Sequence, residues 1–172
     1  QLTEAFRLMR EAIARLEPGP VTLSCSATIM TKWLIPRLGD FKSSHPEIEF
    51  RLNVSHDEID FIQDQISVAI RSSMKRPPQG VVTEKLLNEQ FGPVCHRNYQ
   101  EAFGISSIAS LAGARILETA TRPNAWSDWM SLMTCEDTRL TPHERYEHFY
   151  LVIEAAVSQL GVALVPKYLV EK

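Results

Sequence analysis

Arg71, Thr28, Ser55 and His56 are the residues best placed to do chemistry in this sequence, because they fall at the polar ends of three short β-rich runs, Ser26–Thr28, Ser55–His56 and Arg71–Ser73. Arg71 directly follows the apolar Val68-Ala69-Ile70. A guanidinium there offers a planar fork for a carboxylate, or serves a structural ion pair, and both roles stand open. Thr28 lies at a strand-to-helix junction. Its hydroxyl can cap the helix, helix-terminal amides beside it can hold a ligand carboxylate, and both can hold at once. Such residues recognise a small anion or polar metabolite without making or breaking bonds.

His143-Glu144 with His148 resembles a zinc motif, but the second histidine falls one position too far along, in a segment that reads extended. The sequence has no Gly-x-Ser-x-Gly, no glycine-rich phosphate loop and no close carboxylate pair. Catalysis therefore has no candidate constellation, and neither a metal nor a cofactor is expected.

The elements that position the first group form a βαβαβ unit over residues 19–71. Val21–Ala27 reads as a strand and Lys32–Ser44 as a helix with Leu34, Leu38 and Phe41 at helical spacing. Ile48–Ser55 alternates Ile48, Phe50, Leu52 and Val54 inward with Glu49, Arg51 and Asn53 outward, the strand period. Asp57–Gln65 reads as a short helix with Asp57 as cap, and Val68–Ile70 as a buried strand core. This order implies a parallel sheet with right-handed crossovers, whose ligands bind at the strand carboxyl ends.

The second half is again α/β. Met74–Gly80 reads as a loop, and Val81–Arg97 as an extended stretch, interrupted by Gly92-Pro93, that crosses into a second lobe. A short helix over Ser107–Ala112 and a strand over Arg115–Glu118 follow. Ala125–Met133 is an amphipathic helix whose Trp126 and Trp129 serve packing. Arg145–Phe149 is extended, Tyr150–Leu160 a helix closed by Gly161, Val162–Val165 a buried strand, and Pro166 starts a last short helix.

The 172 residues are 44% hydrophobic and 23% charged, with a net charge of −3. No basic cluster marks a nucleic-acid surface, and no apolar run is long enough to span a bilayer. Cys25, Cys95 and Cys135 are odd in number and far apart, the usage of reduced thiols in a cytoplasmic protein. Leu2, Phe6, Met9, Ile13 and Leu16 form the a/d seam of a coiled coil that stops at Glu17-Pro18-Gly19-Pro20. We read residues 1–17 as the end of a longer dimerising helix; a helix folded back on its own domain is the alternative.

The motifs GPVTLSCSA, WLIPRLGDFKSSHPEIEFRL, SVAIR, FGPVCHRNY, NAWSDWM and LGVALVPKYLVE, in this order over nearly the whole chain, resemble the effector-binding domain of LysR-type transcriptional regulators. WLIPRL followed by the paired-Trp helix looks most like the branch containing the glycine-cleavage activator and the β-lactamase regulator. The resemblance implies a periplasmic-binding-protein-like (type 2) fold, two α/β lobes around an effector cleft, with residues 19–90 as lobe I and 91–172 as lobe II. It implies a DNA-binding domain before this segment and a return to lobe I after it. It also implies a homodimer or tetramer of the full-length protein, paired side by side through Lys32–Ser44 and Tyr150–Leu160. The implied effector contacts are Ala27 and Thr28, Ser55 and His56, Arg71 and Ser72, Thr119 and Thr121, and His148 and Phe149.

Three departures from the family stand out. Gln65 and Ser67 occupy positions where it often has Gly and Asp, Phe149 stands where a small polar residue usually begins a helix, and the stretch between Ala27 and Trp33 is short. The effector expected is a carboxylate with an apolar or aromatic portion. A solute-binding protein for transport shares the lobe architecture, and the heptad over residues 2–16 argues against it.

Overall fold

The computed structural model describes residues 19–72, 77–135 and 140–171. The heptad seam and Ser73 lie outside them. The chain divides into two compact units, one ending at Asn88 and the other beginning at Glu89. Among the described residues no helix is long and apolar enough to cross a membrane.

The first unit is a three-stranded sheet in the order β2-β1-β3, built from β1 (Val21–Cys25), β2 (Phe50–Val54) and β3 (Val68–Ala69), both pairings parallel. The helix after β1 starts at Ala27, five residues earlier than the apolar spacing alone indicates. It runs through an α-turn (Ala27–Ile29), a π-helical segment (Met30–Leu34) and an α-helix (Ile35–Ser44), together α1. The π segment precedes Pro36, which lacks an N–H and whose ring crowds the preceding turn. The wider turn, closed by Ile35 N–H on the Met30 carbonyl, accommodates it. Met30, Trp33, Leu34, Leu38 and Phe41 bury one stripe of α1, which draws the β-branched Thr28 and Ile29 into the helix despite their strand preference.

Three expectations fail in this unit, one being that Val68–Ile70, read as a buried strand core, is half-buried and pairs only over Val68–Ala69. β2 is an edge strand, and its Phe50 meets α1, edge-on to Phe41 at 5.3 Å. Leu52 and Val54, expected inward, are 43% and 55% exposed. The helix expected over Asp57–Gln65 is a single turn. Asp60, not Asp57, caps it through Oδ1, which accepts from Ile62 N and Gln63 N at 3.0 Å each. Ile66 is buried but Ile62 is 88% exposed, so there is no apolar face to hold a longer helix. Gln65 ends the turn at φ 52, the left-handed conformation that makes glycine the favoured residue there. Ser67 Oγ accepts from Thr22 N at 3.2 Å.

The second unit carries β4 (Phe91–Val94), α2 (Arg97–Ala102), β5 (Ile116–Thr119), α3 (Ala125–Leu132), β6 (Pro142–Tyr146), α4 (Phe149–Val157) and β7 (Val162–Pro166). Its sheet runs β4-β7-β5-β6, with only β4 antiparallel to its neighbour. Gly92-Pro93 lies within β4 and does not interrupt it. β4 is an edge strand, where proline's missing donor costs no ladder bond. The extended stretch is correspondingly short, since residues 81–90 are irregular and α2 begins at Arg97. β6 starts earlier than read, at Pro142, and α4 opens at Phe149. Trp126 and Trp129 are core residues, perpendicular at 6.0 Å, and Trp126 Nε1–H donates to the Leu117 carbonyl at 3.0 Å.

Candidate functional site

In the first unit the carboxyl ends of β1, β2 and β3 are brought side by side by the parallel register. Cys25 pairs with Val54, Ser24 with Ala69, and Ser55 N–H extends the ladder to the Cys25 carbonyl at 3.1 Å. Ala27, Thr28, Ser55, His56, Arg71 and Ser72 all follow these ends. The cap of α1 is Ser26, whose Oγ accepts from Ile29 N at 3.3 Å. Thr28 is not the cap; it sits inside the first turn, 6% exposed. Ser55 Oγ accepts from Asp57 N at 3.0 Å and shapes the next turn, while His56 and Ser72 are exposed.

Arg71 folds back across the sheet. Its Nη1 donates to the Ser24 and Ile70 carbonyls, each at 3.0 Å, and its Nη2 to Ser24 Oγ at 2.9 Å. Ser24 Oγ in turn donates to Asn53 Oδ1 at 3.1 Å, so one polar chain runs from the segment after β3 across β1 to β2. None of these bonds goes to a carboxylate. Burial holds the Arg71 guanidinium below its ordinary range, opposed by the nearby Cys25 and Asp57. Burial pushes the Cys25 thiol up to about 11, with the Arg71 charge acting against it. Cys25 is therefore a neutral thiol at pH 7, so the only carboxylate charge facing the guanidinium among its named neighbours is the solvent-exposed Asp57. The guanidinium charge and the positive end of α1 both favour an anion at these strand ends. Ser24 and Asn53 escaped the sequence reading. The alternation Thr22, Ser24 on one face of β1 was the available signal.

In the second unit Thr119 ends β5, 3% exposed, and shares a hydrogen bond with Thr121 between hydroxyls at 2.9 Å. Thr119 pairs with Tyr146 of β6, and Ala120 N–H donates to the Tyr146 carbonyl at 2.7 Å. His148 follows as the N-cap residue of α4 in extended conformation, its ring stacked on Tyr150 at 5.8 Å. Phe149 lies 6.0 Å from Phe91, ring to ring. His143 and Glu144 are structural. A bulge sets Ile116 opposite Pro142 and Leu117 opposite Glu144, and His143 Nδ1 accepts from Ile116 N at 3.1 Å in place of a ladder carbonyl. The Glu144 carboxylate holds the Tyr146 hydroxyl and the Arg115 guanidinium, which keep it below the usual carboxylate range. Among the described residues no group of three His, Cys, Asp or Glu side chains is arranged to hold a metal ion.

Residues 14–172 match the family described as LysR substrate binding domain. The HTH-type transcriptional regulator TrpI of Pseudomonas aeruginosa is 28% identical over 173 residues, covering 97% of this chain and 59% of its own length. The glycine cleavage system transcriptional activator of Escherichia coli is 30% identical over 165 residues, covering 95% and 52%. The chain thus spans somewhat over half the length of these relatives. The effector domain of AmpR from Pseudomonas aeruginosa superposes with a TM-score of 0.66 at 24% identity, covering 88% of this chain and 71% of that one. The regulatory domain of CrgA from Neisseria meningitidis does so with 0.68 at 20% identity, covering 90% and 76%. These likenesses show the fold, the type 2 periplasmic-binding-protein-like α/β fold of LysR effector domains.

Proposed function

The chain belongs to the LysR substrate-binding-domain family, and from that premise we propose that it is the small-molecule-sensing part of a bacterial DNA-binding transcription regulator. The observation that carries the reading is the family match running from residue 14 to 172, through both compact units. The relatives named above are transcriptional regulators, which favours this reading over solute transport or an enzyme. With a net charge of −3, the chain leaves DNA contact to another part of the full-length protein. A cytoplasmic location follows from that role.

The proposed effector is a carboxylate with an apolar or aromatic portion. Its anionic end is matched by the amino end of α1, at Ala27 and Thr28, and by the Arg71 charge, with Ser55, His56 and Ser72 at the neighbouring strand ends. On the second unit Thr119 and Thr121 supply hydroxyls, and His148 and Phe149 supply rings. A thermal-shift panel of carboxylic acids, amino acids and neutral sugars tests this. Carboxylates are expected to raise the midpoint progressively with concentration, as any ligand selective for the folded state does. A response to sugars alone refutes the anion site.

The full-length protein is proposed to be a homodimer or tetramer. Ile35 on α1 is 49% exposed, and Leu151, Val157 and Leu160 on and after α4 are 36%, 57% and 45% exposed, apolar surface of the kind a partner covers. Sedimentation equilibrium of the full-length regulator at micromolar concentration is expected to give a dimer or larger species. A monomer there removes the proposal.

A further inference from the structure

We propose that Glu89 is a positioning residue that ties the junction between the two units to the β5–α3 loop carrying Thr119 and Thr121, a role that rests on the reading of those hydroxyls as effector contacts. Asn88 closes the first unit and Glu89 opens the second. The ten residues 81–90 have no regular structure, so the chain is first fixed in the second unit at this point. Gln90 fixes it through the backbone, its carbonyl accepting from Lys167 N at 2.8 Å beyond the end of the β4–β7 ladder. Glu89 fixes it through the side chain. Its carboxylate accepts from Arg122 Nη2 at 3.0 and 3.3 Å, and from the Tyr168 hydroxyl at 3.4 Å.

Arg122 belongs to the turn that follows Thr119. Its N–H donates to the Thr119 carbonyl at 3.2 Å, and its own carbonyl accepts from Ala125 N, the first residue of α3, at 3.1 Å. The Arg122 guanidinium also lies 6.0 Å from the Phe91 ring, which in turn meets Phe149 at the start of α4. One carboxylate therefore joins the segment entering the unit, the turn after β7, and the loop that sets the two threonine hydroxyls. The ion pair is partly sheltered, with side-chain exposures of 23% for Arg122 and 36% for Glu89. A charge-assisted contact of this kind is strong enough to hold a short loop in one arrangement. A displacement of the Thr119–Thr121 turn is then transmitted to residue 89 through the guanidinium, and a displacement at residue 89 returns by the same route.

Hydrogen exchange of the ligand-free chain tests the link in both directions. Glu89→Gln is expected to speed exchange at Ala120, Arg122 and Ala125 by roughly three- to tenfold, with the amides of β1 unchanged. Arg122→Gln is expected to speed exchange at the Lys167 amide, bonded to Gln90, by a similar factor. Glu89→Asp, which keeps the carboxylate, is expected to restore much of the protection around Arg122. Changes confined to the mutated residue's own neighbours in sequence, or a Glu89→Asp protein no better protected than Glu89→Gln, overturn the proposal. The effector reading fails separately, if Thr119→Val leaves the response to the carboxylate panel intact.

Discussion

Gly161→Ala is expected to destabilise the second unit by about 3 kcal/mol, at the upper end of what overpacking a close-packed site costs. Gly161 lies between α4 and β7, and a Cβ added there collides with the carbonyl oxygen of Arg115 and approaches Leu117 Cγ at 3.0 Å. The Arg115 carbonyl cannot swing aside. It accepts from Val162 N at 2.8 Å, the bond that seats β7 against β5. β7 is flanked by both β4 and β5, so a shift there propagates across the sheet. Urea unfolding followed through Trp126 and Trp129 emission, in a Trp33→Phe background so that the first unit is silent, reads the change. A midpoint equal to that of the parent chain means the strands separate to admit a methyl group, and the close approach is not a constraint.

That glycine shows where sequence reasoning reached the right residue for the wrong reason. The apolar pattern places Gly161 as the closure of the helix over Tyr150–Leu160. The left-handed residue after α4 is instead Gln159, at φ 65, and the helix ends at Val157. Glycine is required at 161 for space, which depends on how closely β7 approaches β5 and leaves no local signature. What the chain makes legible is periodicity backed by burial. Leu38 and Phe41 on α1, Val162 to Val165 in β7, and Trp126 with Trp129 on α3 all read correctly because each apolar side chain found a covered face. Where the pattern was apolar but the face stayed open, as at Leu52, Val54 and Ile62, the elements came out shorter or did not form. The candidate site residues of the first unit were legible as strand ends, because a parallel βαβ order puts polar residues after each strand at one edge. Their side-chain directions were not. The neighbours that decide them, Ser24 and Asn53 for Arg71, are 47 positions from Arg71 in one case and 29 from each other.

The two roles left open for Arg71 are separable by substitution. Arg71→Ala removes three hydrogen bonds from a charged donor, two at Ser24 and one at Ile70. Ser24 is fully buried, yet its carbonyl keeps the Ile70 N–H at 2.9 Å and its hydroxyl keeps Asn53, so neither group of Ser24 is orphaned. The expected loss is about 2 kcal/mol for the first unit, within the range for bonds to a charged group. The guanidinium charge is a second contribution, since Cys25 remains a neutral thiol at pH 7 and the nearby Asp57 carboxylate is exposed, where solvent screens it. Losing the guanidinium charge should weaken a carboxylate identified by the panel by roughly ten- to a hundredfold. Arg71→Lys divides the two. A lysine keeps a positive charge but lacks the fork that spans the Ser24 carbonyl and hydroxyl, so the stability loss should persist while much of the affinity returns. Denaturation and calorimetry on both variants give four numbers that must agree. If both variants lose stability and neither loses carboxylate affinity, Arg71 is a strand-binding residue alone. The anion must then be held by the amino end of α1 without it.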